Sequence, residues 1–161
     1  MQAYLLLDAS ASMAGAPIQA LKQAVNLLCG TFISLGSSPI HVGMISYDST
    51  AREIGKLGEA TACEVPKLEP GGSSALGGAL RKLDSVIVAQ ETTLAYVFTD
   101  GEPTDDWEVA LPIVRPRLKR IYGIVCKIGP HSPELDHAFD RTFTVRELTT
   151  DLLFETFRAY Q

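Results

Sequence analysis

The chain has 161 residues, of which 46% are hydrophobic and 20% are charged, and its formal net charge is −5. This length suits a single domain whose core is large enough to be stable without disulfides or metal ions. The net negative charge argues against binding of nucleic acid or anionic lipid, both of which require clustered Lys and Arg. No apolar run approaches the length of about eighteen residues that spans a bilayer, and the first apolar segment, residues 1–7, has no basic n-region of the kind found in signal peptides. We therefore expect one cytoplasmic domain over residues 1–161, with neither a nucleic-acid nor a membrane partner.

The three cysteines show no redox or zinc-binding motif. Cys29, Cys63 and Cys126 are odd in number and far apart in the sequence, without the close spacing that such motifs require. We therefore expect all three to be reduced thiols that serve core packing.

Apolar segments of strand length alternate with segments of helical periodicity, which favours βαβ units around a mostly parallel sheet. In the first part of the chain, residues 3–7 form a predicted strand, and Pro17 opens a helix that we expect to end near Gly36. Residues 41–47 alternate as a second strand. Residues 51–54 are predicted as its antiparallel edge neighbour, because the connection is too short for a parallel crossover.

The rest of the chain continues this alternation. Residues 94–98 form a continuous apolar run, which is typical of a central strand covered on both faces. Thr104 is predicted to cap the following helix, with Asp105, Asp106 and Glu108 in its first turn, where carboxylates favour the helix dipole. The remaining predicted elements are a loop at 58–72, a helix at 75–88, a strand at 121–128, a short helix after Pro133, a strand at 142–145 and a closing helix at 148–160. The predicted fold is α/β, with a doubly wound, mostly parallel six-stranded sheet, helices on both faces and one antiparallel edge strand.

Three loops of this predicted fold carry oxygen-bearing side chains. Asp8, Ser10 and Ser12 follow the first strand on alternate residues, a Gly-Gly-Ser-Ser segment at 71–74 precedes the second helix, and Asp100 follows the central strand. Ligands of an open parallel sheet bind outside the carboxyl ends of its strands, so we expect these loops to converge. Two carboxylates with neutral hydroxyls suit Mg²⁺, with Mn²⁺ or Ca²⁺ as alternatives, whereas the absence of Cys and His ligands argues against zinc.

The D-x-S-x-S motif, the Gly-Gly-Ser loop and the T-D-G turn together resemble the metal-ion-dependent adhesion site (MIDAS) of von Willebrand factor A domains. The resemblance covers nearly the whole chain and implies a Rossmann-like fold. It also implies a metal-dependent protein–protein interaction module rather than an enzyme, in which an acidic residue of the partner completes the coordination of the ion. Alignment with the family pattern places Ser74, not Ser73, where threonine is usual. The metal ligands implied are Asp8, Ser10, Ser12, Ser74 and Asp100.

Residues 8–18 and 99–107 are similar in more detail to the TerY-like proteins of tellurite-resistance and stress-response gene clusters. Those proteins are associated with a protein kinase and a PP2C-type phosphatase. The resemblance therefore implies a component of a phosphorylation system, with a Ser/Thr kinase, a PP2C-type phosphatase or both as partners.

Two alternatives remain open at the level of the sequence. A Mg²⁺-dependent phosphohydrolase on a similar sheet needs an activated nucleophile or base, and a haloacid-dehalogenase-like pattern would have a second Asp at the position of Ser10. A metal-independent scaffold, in which the same residues form a hydrogen-bonded network, is compatible with the sequence. Near the third loop, we expect Asp105 and Asp106 to serve the helix start and Trp107 to serve packing, while Glu102 either contacts a partner or is solvated.

Overall fold

The computed structural model describes residues 1–34, 39–60, 63–89, 91–127, 129–158 and 160. The strands are β1 (Gln2–Asp8), β2 (His41–Tyr47), β3 (Ala51–Glu59), β4 (Thr93–Thr99), β5 (Arg120–Val125) and β6 (Arg141–Thr144). They form one sheet in the order β3-β2-β1-β4-β5-β6. Every neighbouring pair is parallel except β2 and β3, which are antiparallel. This confirms the predicted six-stranded sheet with one antiparallel edge strand.

Helices cover both faces of this sheet. They are α1 (Ala16–Ser34), α2 (Leu76–Val86), α3 (Trp107–Val114), α4 (Pro133–Ala138) and α5 (Thr150–Arg158). Residues of α1 and α5 share one buried cluster with Leu5 and Leu7 of β1. Residues of α2, α3 and α4 share the other cluster with Tyr4 and Leu6. Alternate residues of one strand therefore enter two different cores, as the doubly wound fold requires.

The two central strands are buried along their whole length. All seven residues of β1 and all seven of β4 are buried. Burial of a leucine side chain contributes roughly 1.5–3 kcal/mol, so the central strands supply a large share of the apolar stabilisation. Burial on both faces also explains why these segments read as continuous apolar runs rather than as alternating ones. The central position predicted for the strand at 94–98 is confirmed.

Several element boundaries differ from the predicted ones. Strand β3 continues to Glu59, so the start of the predicted loop at 58–72 is part of the sheet. Helix α3 begins at Trp107, and Thr104 does not cap it, because the side chains of Thr104 and Asp105 bond to a different segment. The closing helix begins at Thr150 rather than near residue 148. Strand β5 ends at Val125, so the predicted strand at 121–128 was too long, and residue 128 lies outside the described residues. The predicted helix end near Gly36 also lies outside them.

The expectation of three reduced thiols is wrong for two of them. Cys29 and Cys63 form a disulfide, with their Cα atoms 6.2 Å apart, whereas Cys126 is free and buried. The inner face of α1 and the segment after β3 bring the two residues together across a sequence separation of 34. Disulfides of this kind persist mainly in oxidising compartments. Within the described part of the chain, none of the helices is both long and apolar enough to cross a membrane.

Candidate metal centre

The first two candidate loops meet at the carboxyl ends of the parallel strands. The backbone N–H of Ala11 donates to the carbonyl of Gly72 at 3.0 Å, and the N–H of Gly71 donates to the carbonyl of Ala9 at 3.0 Å. These two bonds join the loop after β1 to the loop before α2. The third loop follows β4, which pairs directly with β1. All three loops therefore lie at one edge of the sheet, as the strand ends predicted.

Asp8 is the buried acceptor at the centre of this edge. Its Oδ1 accepts a hydrogen bond from the backbone N–H of Ser10 at 2.9 Å. Its Oδ2 accepts one from Ser74 Oγ at 3.0 Å and one from Thr99 Oγ1 at 2.9 Å. The side chain is completely inaccessible to solvent. Three donors from two loops and one strand end therefore fix the orientation of the carboxylate.

Asp100 is joined to the same network through two serines. Ser12 Oγ donates to Asp100 Oδ2, and the hydroxyls of Ser10 and Ser12 lie 3.2 Å apart. The backbone N–H of Glu102 donates to Asp100 Oδ1 at 3.2 Å. The structure thus brings all five predicted ligands into one continuous hydrogen-bonded network. Ser12 is the exposed member of the five, so the network opens to solvent at this residue.

The electrostatics of the network favour a cation. Burial raises the pKa of the Asp8 carboxyl, hydrogen bonds from Ser10 and Thr99 oppose this increase, and the nearby charge of Asp100 adds to it. Within the described residues, neither Asp8 nor Asp100 forms an ion pair with a basic side chain. Two buried carboxylates without a counter-charge are costly, and a bound cation would remove that cost.

The donor set fits a hard divalent cation. A hydroxyl that donates its proton to a carboxylate still has lone pairs that can face an ion, so the bonds from Ser12 and Ser74 orient their oxygens. No group of three or more His, Cys, Asp or Glu side chains forms a metal cluster among the residues that the structure describes. A metal at this edge would therefore be held by two carboxylates and serine hydroxyls, the hard oxygen ligands that Mg²⁺ prefers.

Two residues near the predicted ligands have roles that the sequence analysis did not assign. Thr99, the last residue of β4, donates to Asp8 and accepts a bond from the N–H of Gly101 at 3.1 Å. The sequence feature that could have identified Thr99 is its hydroxyl at the end of a central strand. Ser73 Oγ lies 3.2 Å from Ser49 Oγ and outside the network.

The acidic residues of the third loop are used in different ways. The Glu102 carboxylate forms an ion pair with Lys127 at 2.8 Å. The Asp106 carboxylate forms a bidentate pair with Arg81 on α2, at 3.0 and 2.6 Å, so it does not cap α3, although the backbone carbonyl of Asp106 accepts from the first turn of that helix. Trp107 is buried among core residues, which agrees with a packing role.

Asp105 and Thr104 also serve α2 rather than α3. The Asp105 carboxylate accepts from two backbone N–H groups of α2, and Thr104 bonds to the backbone of Ser74. Their predicted role as the start of α3 is therefore wrong. The physical reason is that the first N–H groups of α2 have no side-chain cap of their own and lie within hydrogen-bonding distance of the Asp105 carboxylate.

The family model for the von Willebrand factor type A domain matches residues 4–138, which is most of the chain. The chain belongs to this family. The match ends at residue 138, so the expected extent of this von Willebrand factor A domain, residues 1–161, stays a prediction. A search of curated proteins found no significant match.

Solved structures share the fold of this A domain at low sequence identity. A von Willebrand factor type A protein from Catenulispora acidiphila has a TM-score of 0.72 and 19% identity, and the alignment covers 98% of this chain and 41% of that protein. Proximal thread matrix protein 1 from the mussel byssus, with a zinc-occupied MIDAS motif, has a TM-score of 0.70 and 16% identity over 98% of this chain and 45% of its own. An aerotolerance-related membrane protein from Bacteroides fragilis, with multiple mutations to serines, has a TM-score of 0.65 and 18% identity over 88% of this chain and 76% of its own.

Proposed function

We propose that this A domain binds a partner protein through one divalent cation, which Asp8, Ser10, Ser12, Ser74 and Asp100 hold. The observation that carries the proposal is the network itself, in which two buried carboxylates from different loops are connected through the backbone N–H of Ser10 and the hydroxyls of Ser10 and Ser12. The ion would serve as an electrostatic link, because Asp8 and Asp100 only balance its charge and leave it able to bind one more anionic ligand. Mg²⁺ is our first choice, with Mn²⁺ or Ca²⁺ as alternatives.

The identity of the ion needs a direct measurement. The mussel protein has zinc in its MIDAS motif, although the absence of Cys and His from our ligand set argues against zinc here. That likeness, at 16% identity, supports a divalent ion at such a site without selecting one. We therefore include Zn²⁺ among the ions to be compared.

A carboxylate of the partner is the proposed last ligand. Asp8 and Asp100 together only balance the charge of a dication, while the serines add none, so an anionic ligand is held more strongly than a neutral one. Ser12 is exposed and marks the side from which the partner would approach. The resemblance of residues 8–18 and 99–107 to TerY-like proteins supports a role in a tellurite-resistance or stress-response phosphorylation system. That resemblance also supports a cytoplasmic location, whereas the Cys29–Cys63 disulfide argues for an oxidising compartment. A Ser/Thr kinase and a PP2C-type phosphatase are the proposed partners.

A metal-independent scaffold is the second candidate function. It is favoured by the observation that the five residues are already joined to one another by hydrogen bonds in the described structure. A phosphohydrolase is the third and least supported alternative, because the sequence offers no second Asp at position 10. We propose that the protein has no phosphatase or nucleotide-hydrolysing turnover of its own.

The first experiment measures ion binding by calorimetry. We expect one weak site per chain for Mg²⁺ or Mn²⁺ in the wild type, and loss of that site in Asp8→Ala and Asp100→Ala. Asp84→Ala is the matched control, because Asp84 pairs with Arg117 and does not belong to the network. Equal binding by the wild type and Asp8→Ala would show that the ligand assignment is wrong.

The second experiment tests the link to a partner. Native lysate is passed over the immobilised wild-type domain, with and without EDTA. It is also passed over the immobilised Asp8→Ala and Ser12→Ala variants, after circular dichroism has shown that each variant is folded. We expect retention of the partner to require both the ion and Asp8. Retention that survives EDTA and Asp8→Ala alike would favour the metal-independent scaffold.

A further inference from the structure

The start of α2 lacks the local stabilisation that a helix start ordinarily has. Its N-cap residue is Ala75, whose side chain cannot accept a hydrogen bond, and its first turn contains Gly77 and Gly78. Glycine is among the poorest helix formers, and the N–H groups of a first turn have no partner inside the helix. Ser74, a proposed metal ligand, immediately precedes this turn. Its position therefore has to be fixed from outside α2.

Asp105 supplies the missing cap from the loop between β4 and α3. Its Oδ1 accepts a hydrogen bond from the N–H of Gly77 at 2.8 Å, and its Oδ2 accepts one from the N–H of Gly78 at 3.0 Å. A carboxylate at this position is also favoured by the dipole of α2. Both oxygens are thus bonded to the first turn of a helix that lies 27 and 28 residues earlier in the chain.

Thr104 fixes the backbone of Ser74 in the same way. The N–H of Ser74 donates to Thr104 Oγ1 at 3.2 Å, and the carbonyl of Ser74 accepts from the Thr104 N–H at 2.8 Å and from its hydroxyl at 3.2 Å. Both backbone polar groups of Ser74 are therefore bonded to one residue of the third loop. Its side chain remains directed at Asp8.

The two segments also approach too closely for a side chain between them. A Cβ atom added to Gly77 would lie 2.8 Å from Asp105 Oδ2 and 3.1 Å from the Cα of Trp107. Glycine at this position is therefore required by the contact, in addition to the hydrogen bonds. This gives a second way to disturb the contact without removing Asp105.

We propose that Asp105 is a positioning residue for the metal centre, which locks the loop that carries Asp100 to the helix start that carries Ser74. The inference rests on the proposed metal site and deepens it. Loss of the lock would let the Ser74 hydroxyl move away from the ion while Asp8 and Asp100 stay in place. Residues that orient a metal ligand without touching the ion typically change metal affinity roughly 10- to 100-fold when they are replaced.

The test measures Mn²⁺ affinity of the full chain by electron paramagnetic resonance of the free ion, at a temperature where every variant is folded by circular dichroism. We expect Asp105→Ala to weaken Mn²⁺ binding roughly tenfold or more. Asp106→Ala is the matched control, because it removes the same charge from the neighbouring position and breaks only an exposed pair with Arg81. It should stay within about twofold of the wild type. Gly77→Ala should weaken binding although Asp105 is intact.

A thermodynamic cycle with Ser74→Ala separates positioning from general stability. If Asp105 acts through Ser74, Asp105→Ala should change Mn²⁺ affinity by less than about twofold in the Ser74→Ala background. Full multiplication of the two effects, or an Asp105→Ala affinity within twofold of the wild type, would overturn the inference and leave the metal site standing. A wild type that binds no Mn²⁺ would refute the site and this role with it. If Asp105→Ala does not fold, Asp105→Asn, which keeps one acceptor oxygen, replaces it with an expected weakening of at least threefold.

Discussion

Replacement of Asp8 by asparagine should stabilise the metal-free protein and abolish its response to Mg²⁺. Asparagine keeps an acceptor for the N–H of Ser10, and the hydroxyls of Ser74 and Thr99 can turn to accept from its amide. The hydrogen bonds are therefore retained while the buried charge is removed. The variant should therefore be more stable than the wild type without Mg²⁺, but it should lose the additional stability that the wild type gains when Mg²⁺ binds.

The expected gain for the metal-free variant is modest. A buried carboxylate costs several kcal/mol, and each of its three hydrogen bonds recovers about 1 kcal/mol more than a neutral bond would. The difference leaves about 1–2 kcal/mol in favour of Asp8→Asn. For a chain of 161 residues, this corresponds to an increase in Tm of roughly 3–6 °C. Mg²⁺ at ten times its Kd would stabilise the wild type by about 1.4 kcal/mol and leave the variant unchanged.

The pH dependence gives an independent check on the sign. The pKa of Asp8 is raised in the folded protein, mainly by burial, so the folded state binds more protons than the unfolded state in the range between the ordinary and the raised pKa. Metal-free wild type should lose stability as the pH rises through this range, and Asp8→Asn should not. Thermal unfolding in EDTA and in Mg²⁺, with Asp84→Asn as the control, measures all of these effects. A metal-free Asp8→Asn that is less stable than the wild type at neutral pH would refute the reasoning.

Two further predictions concern parts of the fold around the site. Cys29 and Cys63 should contribute about 3–4 kcal/mol to stability through their disulfide, as judged by the sequence separation of 34 residues, so Cys29→Ser/Cys63→Ser should unfold at lower urea concentration. Thiol titration of denatured wild type should find one free thiol, and three would contradict the disulfide. Gly101→Ala should lower the free energy of unfolding by about 2–3 kcal/mol, because Gly101 has φ +92° and a Cβ there would collide with His131. The control in urea unfolding is Gly15→Ala, with φ +82° and no neighbour within 4 Å, and an equal loss in both variants would refute the collision.

The sequence predicted the central part of the fold because burial leaves a clear pattern there. Strands β1 and β4 are buried on both faces and read as apolar runs of strand length. The same reasoning located the site, since Asp8 and Asp100 come at the ends of these two neighbouring strands. Strand β3 was predicted too short because none of its residues is buried and because it contains Gly55 and Gly58, which weaken any strand signal.

The features that the sequence did not predict all depend on distant partners. Cys29 and Cys63 are joined only because α1 and the segment after β3 lie side by side in the folded chain. Thr104 and Asp105 fit the local rule for a helix start, and no local feature shows that α2 uses them instead. Local rules identify which groups can cap a helix. They do not identify which of two nearby helix starts has the greater need for a cap.

The metal-free network suggests why this site should act together with its partner. Ser12 and Asp100 bond directly to each other, and an ion that enters between the loops has to compete with this bond. The protein alone offers two charges, so the net gain from ion binding should be small and the isolated site should be weak. A carboxylate from a partner adds a third charge and shifts the balance toward the bound ion. Because the coupling between two ligands is reciprocal, the partner strengthens ion binding by the same factor by which the ion strengthens partner binding. If the proposed function is correct, such a site would be filled mainly when the partner is present, and it would release the partner when the ion is removed.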